Sequence, residues 1–438
     1  MEYININRII THVNPDLDGM LSILLLRKFG ESLFPGVSNA KVDFITASEL
    51  PNNMTSSQLE KKGTLAVDIG GGRFDSHPTK NGGVGKLDRS AADLVAEKLG
   101  LLNVEIWNPL IEYTRMHDTA AHGLYSTDPL HHIFSLNSIL EGITLKYEND
   151  SETLLERGIQ IITVIPSYVA NINLEFNIVL MTEIINKYFV LKGIDLLGND
   201  EELNHFRQWY IQMKTDPDLT FGKHPLDRLV AVRSLLHGAY YFFDKDENLL
   251  QDYAFKLIDA ILKREYHWFN ALKQYRELAI LKNIGDLLMS AISSDNGMVI
   301  KAARYVNNPD ILIYHNPVNG AVTVFIQRRG KLNKYPFENI AARIRLTEAI
   351  EKNEKINFDN LASVGTYYGW FLHQSQNILI RGSRKQNNFI PTCIPLNQLI
   401  DIVNMEFDHE SEYEMNPKFI EAWLGFRNPY FRNKNKRR

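Results

Sequence analysis

Cysteine is all but missing from this chain, with Cys393 the single example in 438 residues. One thiol cannot build an internal disulfide framework, so stability has to come from apolar burial, and a reducing compartment fits. Its reading as a small buried hydrophobe is preferred to that of a nucleophile. Long apolar runs are absent as well. No stretch of about 18 uncharged apolar residues occurs, so no membrane-spanning helix is expected. The opening MEYININRIITH has no basic segment leading into a long apolar one, so a secretory signal is not expected and a cytoplasmic location is. A dominant charge sign is missing too. Lys and Arg number 48 against 52 Asp and Glu, a net charge of −4, so the molecule as a whole is no polycation made to coat nucleic acid. Only the tail from Arg427 to Arg438 is basic. What remains is the balance of a globular protein, 44% apolar and 23% charged, long enough for two or three domains.

The first segment alternates strand-like and helix-like patterns. Arg8–Thr11 is a short β-branched run, Met20–Phe29 an apolar helix closed by Gly30, and Val42–Thr46 and Thr64–Ile69 read as buried strands. Arg89–Leu99 reads as a helix closed by Gly100. This order predicts an α/β layer with a mostly parallel sheet, whose ligands bind beyond the carboxyl ends of the strands. From about Leu130 to Met298 the pattern becomes helical, interrupted by a loop at Thr215–Pro225. Its aromatic stripes Tyr240–Phe243 and Tyr266–Phe269 read as packing residues. The last third is mixed. Ile311–His315 and Val322–Gln327 flank the hairpin signal Asn319-Gly320. A helix at Phe337–Lys352, two strands at Gly369–His373 and Asn377–Arg381, and a helix near Leu396–Met405 follow. The expected division is an α/β domain at 1–128, a helical region at 129–300, a smaller C-terminal α+β domain at 301–410 and a basic tail at 411–438.

Two polar clusters follow predicted strands directly. In His12-Val-Asn-Pro-Asp16-Leu-Asp18-Gly, a histidine and two carboxylates share seven residues, a dense set of ligands for a hard cation such as Mn²⁺ or Mg²⁺. Asp18 alone serves equally well as an N-cap of the Met20–Phe29 helix; beside His12 and Asp16 the ligand reading is preferred. In Val-Asp68-Ile-Gly-Gly-Gly-Arg73-Phe-Asp75-Ser-His77-Pro, Asp68 stands at a strand end before three glycines. Such an exposed carboxylate can bridge two cations about 3.5–4 Å apart, as two-metal phosphoryl transfer requires. Lys86, in Gly-Gly-Val-Gly-Lys86-Leu, lacks the glycine spacing and the following Ser or Thr of a P-loop. A third cluster, Met-His117-Asp118-Thr-Ala-Ala-His122, offers a further carboxylate. His131 and His132 read as loop or cap residues.

HVNPDLDG, VDIGGGRFDSHP and HDT, in this order and spacing, resemble the motifs of the DHH phosphoesterase superfamily. VDIGGGRFDSH followed by GKLDRSAADLVAEKLG is most similar to the Myg exonuclease branch, and ILIYHNPVNGAVTVFIQ and YYGWFLHQSQNILIRGSR extend the likeness into the C-terminal domain. The resemblance implies that His12 and Asp16 bind one metal and Asp18 a second. Asp68 would bridge the two and Asp118 complete the second site, with two Mn²⁺ or Mg²⁺ ions in all. The family's signature triplet falls on Asp75-Ser76-His77. Serine stands where the first histidine is usual, which weakens the second metal site unless another donor such as His117 serves. Asp75 and His77 take the catalytic positions, His77 contacting the substrate phosphate or assisting proton transfer.

The implied activity is a metal-dependent phosphodiester hydrolase, foremost a 3′→5′ exonuclease or oligonucleotidase on short RNA or DNA. Two alternatives stay open: a hydrolase of a small phosphorylated molecule such as a cyclic dinucleotide or pyrophosphate, and a degenerate nucleotide-binding protein marked by Ser76. The expected partner is short nucleic acid or a nucleotide, with no membrane; a homo-oligomer is left open. Candidate substrate contacts are His373, Arg381, Gly382, Ser383 and Arg384, basic side chains beside accessible backbone N–H groups. Arg384-Lys385 reads equally as a solvated hairpin tip.

Overall fold

A computed structural model places the chain in the α/β class, with a parallel sheet near its start, a helical middle and a mixed sheet in its last third. It describes residues 4–45, 50–77, 88–119, 135–215, 226, 231–327, 332, 336–373, 377–382, 389–407, 421–423 and 426. Lys86, His122, His131, His132, Ser383, Arg384, Lys385, the 216–225 loop and the tail from Arg427 to Arg438 lie outside the described residues. Two compact units divide the chain, Met1–Tyr266 and His267–Arg438.

In the first unit, strands β1 (Arg8–His12), β2 (Lys41–Ile45) and β3 (Thr64–Ala66) form a parallel sheet in the order β2-β1-β3. Parallel neighbours need crossovers. Helix α1 (Leu17–Phe29) supplies the first and α2 (Ser56–Glu60) lies in the second, and α3 (Ala91–Leu99) and α4 (Asn108–Asp118) follow. Every residue from Leu17 to Leu26 of α1 is buried, which is why its sequence shows no one-sided stripe. The helix starts three residues earlier than its apolar run suggests, because Asp16 is the N-cap. Its carboxylate accepts from the Asp18 and Gly19 N–H groups at 3.2 and 3.4 Å. The capping role weighed for Asp18 therefore belongs to Asp16.

The helical middle comprises α5 (Leu136–Lys146), α6 (Ser151–Ile162), α7 (Ile165–Ala170), α8 (Ile178–Lys192), α9 (Asn204–Thr215), α10 (Val232–Phe242) and α11 (Glu247–Leu278). It shares one apolar cluster with the α/β layer: Ile9, Leu21, Leu25 and Val95 are continuous with Leu140, Leu154, Leu235 and Leu257. Each such buried side chain contributes about 1.5–3 kcal/mol relative to exposure, so a common core, not a linker, joins them.

The second unit holds β4 (Ile280–Ile284), β5 (Leu287–Ser293), β6 (Ile311–His315), β7 (Val322–Ile326), β8 (Gly365–Tyr367), β9 (Trp370–Leu372) and β10 (Ile378–Arg381). They form one sheet in the order β4-β5-β6-β7-β10-β9-β8, with β5–β6 parallel and the other pairs antiparallel. The sheet thus begins at Ile280, ahead of the residue-300 line drawn from sequence. Its first hairpin follows the 32-residue helix α11 almost without a break, and its turn is the two residues Gly285-Asp286, Gly285 at φ +56°. Helices α12 (Val299–Val306), α13 (Phe337–Glu351) and α14 (Leu396–Phe407) complete the unit. Ile313, Val324, Leu372 and Leu379 pack against Ile340 and Ile344 of α13 and Val403 of α14. On the other side, Ile292 and Leu312 meet Leu272 and Tyr275 of α11 and Val299 of α12.

Helix α13 buries Arg343, Arg345 and Glu348 completely. Such burial is tolerable only where partners replace water. Arg343 Nε donates to Glu406 at 2.6 Å. Arg345 donates to the carbonyls of Leu361, Ser363 and Trp370 at 2.8, 2.7 and 3.0 Å.

Candidate metal centre

Ile10 of β1 pairs with Ala66 of β3 in a parallel ladder. Two residues further along each chain come His12 and Asp68, so the sheet itself brings them side by side at its carboxyl end. His12 Nε2 lies 3.0 Å from Asp68 Oδ2 and 3.8 Å from Asp16 Oδ2, and its Nδ1 lies 2.9 Å from the Val13 carbonyl. With Nδ1–H donating to that carbonyl and Nε2–H to Asp68, loss of the Nε2 proton would free a lone pair for a cation between the two carboxylates. A histidine fixed in this way through its other nitrogen is the usual arrangement of a metal ligand.

Asp68 is 4% exposed and adopts φ +57°, a conformation in which a short polar side chain is among the few tolerated. Its own N–H donates to the Phe74 carbonyl at 2.8 Å, and Gly70, at φ +81°, lets the chain pass Leu50, whose side chain a Cβ there would meet at 2.5 Å. The glycine run is therefore needed to turn Asp68 inward. Among the described residues Asp68 Oδ1 is buried without a hydrogen-bond partner, and so is the hydroxyl of Thr11, one residue before His12. Burial raises the Asp68 carboxyl, and the nearby charge of Asp16 adds to this against the lowering contact with His12.

Asp18 sits differently from a simple ligand. Both its oxygens accept backbone N–H groups, from Ala91 and Ala92, each at 2.7 Å, so it anchors the start of α3. Burial, then the charges of Asp68 and Asp118, push its carboxyl well above the ordinary range. Buried carboxylates that raise one another in this way call for a proton or a cation between them. Asp118 closes α4 near enough to act on both Asp18 and His77, while His117 stacks on Tyr113 with ring centroids 6.2 Å apart.

Asp75 is engaged in positioning. It accepts from Gly71 N–H at 2.6 Å, from His77 N–H at 3.0 Å and lies 2.9 Å from His77 Nδ1. That contact with Asp75 is the main cause of a His77 pKa raised to about 9; burial opposes it, while Asp68, 3.5 Å from Nδ1, helps. Ser76 is buried between them. Two donor groups among the described residues are compact enough for one ion each, with all ligand atoms within 4.8 Å: His12, Asp16 and Asp68, and Asp68, Asp75 and His77. The first offers carboxylate and imidazole donors that fit Mn²⁺ or Mg²⁺; in the second, Asp75 and His77 already face each other. The amides of Ala91 and Ala92 are functional groups that sequence reasoning missed. The helix start Arg-Ser-Ala-Ala was visible, but nothing in it pointed to Asp18, 73 positions earlier.

Of the C-terminal contacts expected from sequence, His373, Arg381 and Gly382 are described. His373 lies beyond one end of the β9–β10 pair, its N–H donating to Ile378, whereas Arg381 ends the other. Arg381 is 2% exposed. It donates to the carbonyls of Tyr368, Ile390 and Pro391 at 2.6, 2.9 and 3.3 Å and meets Glu348 at 3.2 Å, so its donors are occupied within the unit. Gly382, at φ +72°, packs under Phe389, whose ring a Cβ would meet at 2.3 Å. Cys393 is exposed and not buried as expected, because it lies in a coil held to Glu348 through its backbone N–H.

No family model matches the chain, and no curated protein does. Among solved structures, a pGpG-specific phosphodiesterase, PggH from Vibrio cholrae, aligns over 93% of this chain and 99% of its own at 9% identity, with a TM-score of 0.38. None of these comparisons bears on the Myg branch.

Proposed function

We propose that the first unit is a metal-dependent phosphodiester hydrolase of the DHH type, acting on short oligonucleotides. The observation that carries the reading is the inward-turned Asp68, with one oxygen against His12 and the other, 3.5 Å from His77 Nδ1, buried without a hydrogen-bond partner among the described residues. His12, Asp16 and Asp68 would hold the first cation, Mn²⁺ or Mg²⁺. Asp68, Asp18 and Asp118 would serve a second cation. When bound, such cations acidify water and neutralise charge on a phosphoryl group. Asp75 orients His77, which with its raised pKa carries a positive charge at neutral pH toward the side where phosphoryl oxygens would gather charge.

Ser76 and the engagement of Asp18 by two amides favour one competing reading, a degenerate centre that binds nucleotide without turnover. Hydrolysis of bis-p-nitrophenyl phosphate, short RNA and DNA, cyclic dinucleotides and pyrophosphate, assayed with Mn²⁺, separates these readings and the substrate classes. Activity that Asp68→Asn lowers by about 100-fold or more supports the enzyme; asparagine keeps the backbone conformation, so the loss reports the charge. Tight metal binding without turnover of any substrate sinks the hydrolase. A gain in rate in Ser76→His would mark the serine as a lost ligand position.

A further inference from the structure

The sheet of the second unit buries one face across its central strands and the other in part. Val324 of β7, Leu379 of β10 and Leu372 of β9 point into the core beneath α13 and α14. Their alternating neighbours project to the opposite side. On that side the apolar cover from α11 and α12 reaches Leu312 and Tyr314 of β6 and ends at Phe325. Beyond it, Thr323, Ile378 and Ile380 are half-buried and Phe371 is 39% exposed. A water-facing strand position ordinarily takes a polar residue; this row carries a phenylalanine and two isoleucines.

The charge at the margin narrows what would cover this face. Arg304 of α12 lays its guanidinium over Phe325, 4.5 Å from the ring centroid, and among the described residues no carboxylate pairs with it. Arg304 is itself exposed, so an anionic group on a bound ligand can reach its guanidinium. A ligand with a flat π ring and a phosphate answers both features, since aromatic side chains stack bases and arginine binds phosphate. Phe371 and Phe325 stand two strands apart and two residues out of register, about 12 Å, a gap that a dinucleotide spans.

We propose that this open face binds a nucleotide, its base against Phe371 and Ile380 and its phosphate on Arg304. The proposal rests on the phosphodiesterase reading only for the class of ligand. Equilibrium dialysis of the four 5′-phosphorylated homodinucleotides against the full chain in EDTA tests it without turnover. Wild type and Asp68→Asn are expected to bind at least one of them equally. Phe371→Leu, which keeps apolar bulk and removes the ring, is expected to weaken binding by roughly tenfold or more, and Arg304→Gln to weaken it with a shallower salt dependence. Wild-type affinity in both variants overturns the proposal, and so does absence of binding to wild type. If Phe371→Leu fails to fold by circular dichroism, Arg304→Gln, a surface change on α12, decides alone. Binding that persists in a protein without hydrolytic activity leaves this proposal standing and removes the hydrolase reading.

Discussion

Asp68 combines three unfavourable conditions: a left-handed backbone, near-complete burial and neighbouring negative charge. Strain of this kind persists where surrounding structure over-determines it, and it concentrates at functional sites. A cation bound by the native state alone stabilises it, by about 2.7 kcal/mol at 100-fold over its Kd. Mn²⁺ should therefore raise the thermal midpoint of the wild type by several degrees, and Asp68→Asn should lose most of that rise in a calorimetric scan. An equal rise in both would move the ion elsewhere. Glu348 presents the opposite case. Burial alone would raise its carboxyl, but hydrogen bonds from Lys352 and Thr392 and the charge of Arg381 lower it below its ordinary value of 4.5. A lowered folded-state pKa contributes stability above the unfolded value that is lost as pH falls through the folded one. The stability gap between wild type and Glu348→Gln should thus be widest above about pH 4.5 and shrink on acidification, as urea titrations at stepped pH would record. Residues of the first kind are legible in sequence because they are clustered and follow strands. Arg381 misleads because an arginine next to Gly-Ser looks the same whether it faces a ligand or its own carbonyls, and only tertiary packing decides.

Elements were legible where their pattern was local. The three parallel strands, α1, α3, the Asn319-Gly320 hairpin and α13 stand within a few residues of the positions read from periodicity and caps. The Asn316 carboxamide accepts from Val318 and Asn319 N–H in that hairpin, a turn chemistry written into the sequence. The β4–β5 hairpin escaped because its alternation is brief and abuts a long helix. Helix contacts were illegible for another reason, since a glycine inside a helix gives no hint of what approaches it. Gly142 of α5 is such a case: a Cβ there would come within 1.9 Å of the Ala260 carbonyl oxygen of α11. Alanine is the better helix former by about 1 kcal/mol, yet overpacking against backbone costs about 1–3 kcal/mol. Gly142→Ala is expected to lower the denaturation midpoint; an unchanged or raised midpoint would show that α5 and α11 separate freely.

At the scale of the whole chain, the first unit joins the candidate ligand motifs and the helical middle in one core, while the second carries its own sheet and its own buried charge cluster. An ion at His12, Asp16 and Asp68 should accordingly act locally. In hydrogen-exchange mass spectrometry, Mn²⁺ is expected to slow exchange in peptides covering 12–19, 67–75 and 88–93 and to leave β6, β7 and β10 unchanged. Uniform slowing across both units would contradict this.

The two amides on Asp18 carry one more consequence. Its oxygens already hold the first turn of α3, so a cation drawing on Asp18 has to share lone pairs with Ala91 and Ala92. The occupancy of the second position becomes readable at a distance from any ligand side chain. The backbone ¹⁵N resonances of Ala91 and Ala92 form a built-in gauge, shifting in proportion as that ion fills and staying still if Ser76 has left the protein with one ion.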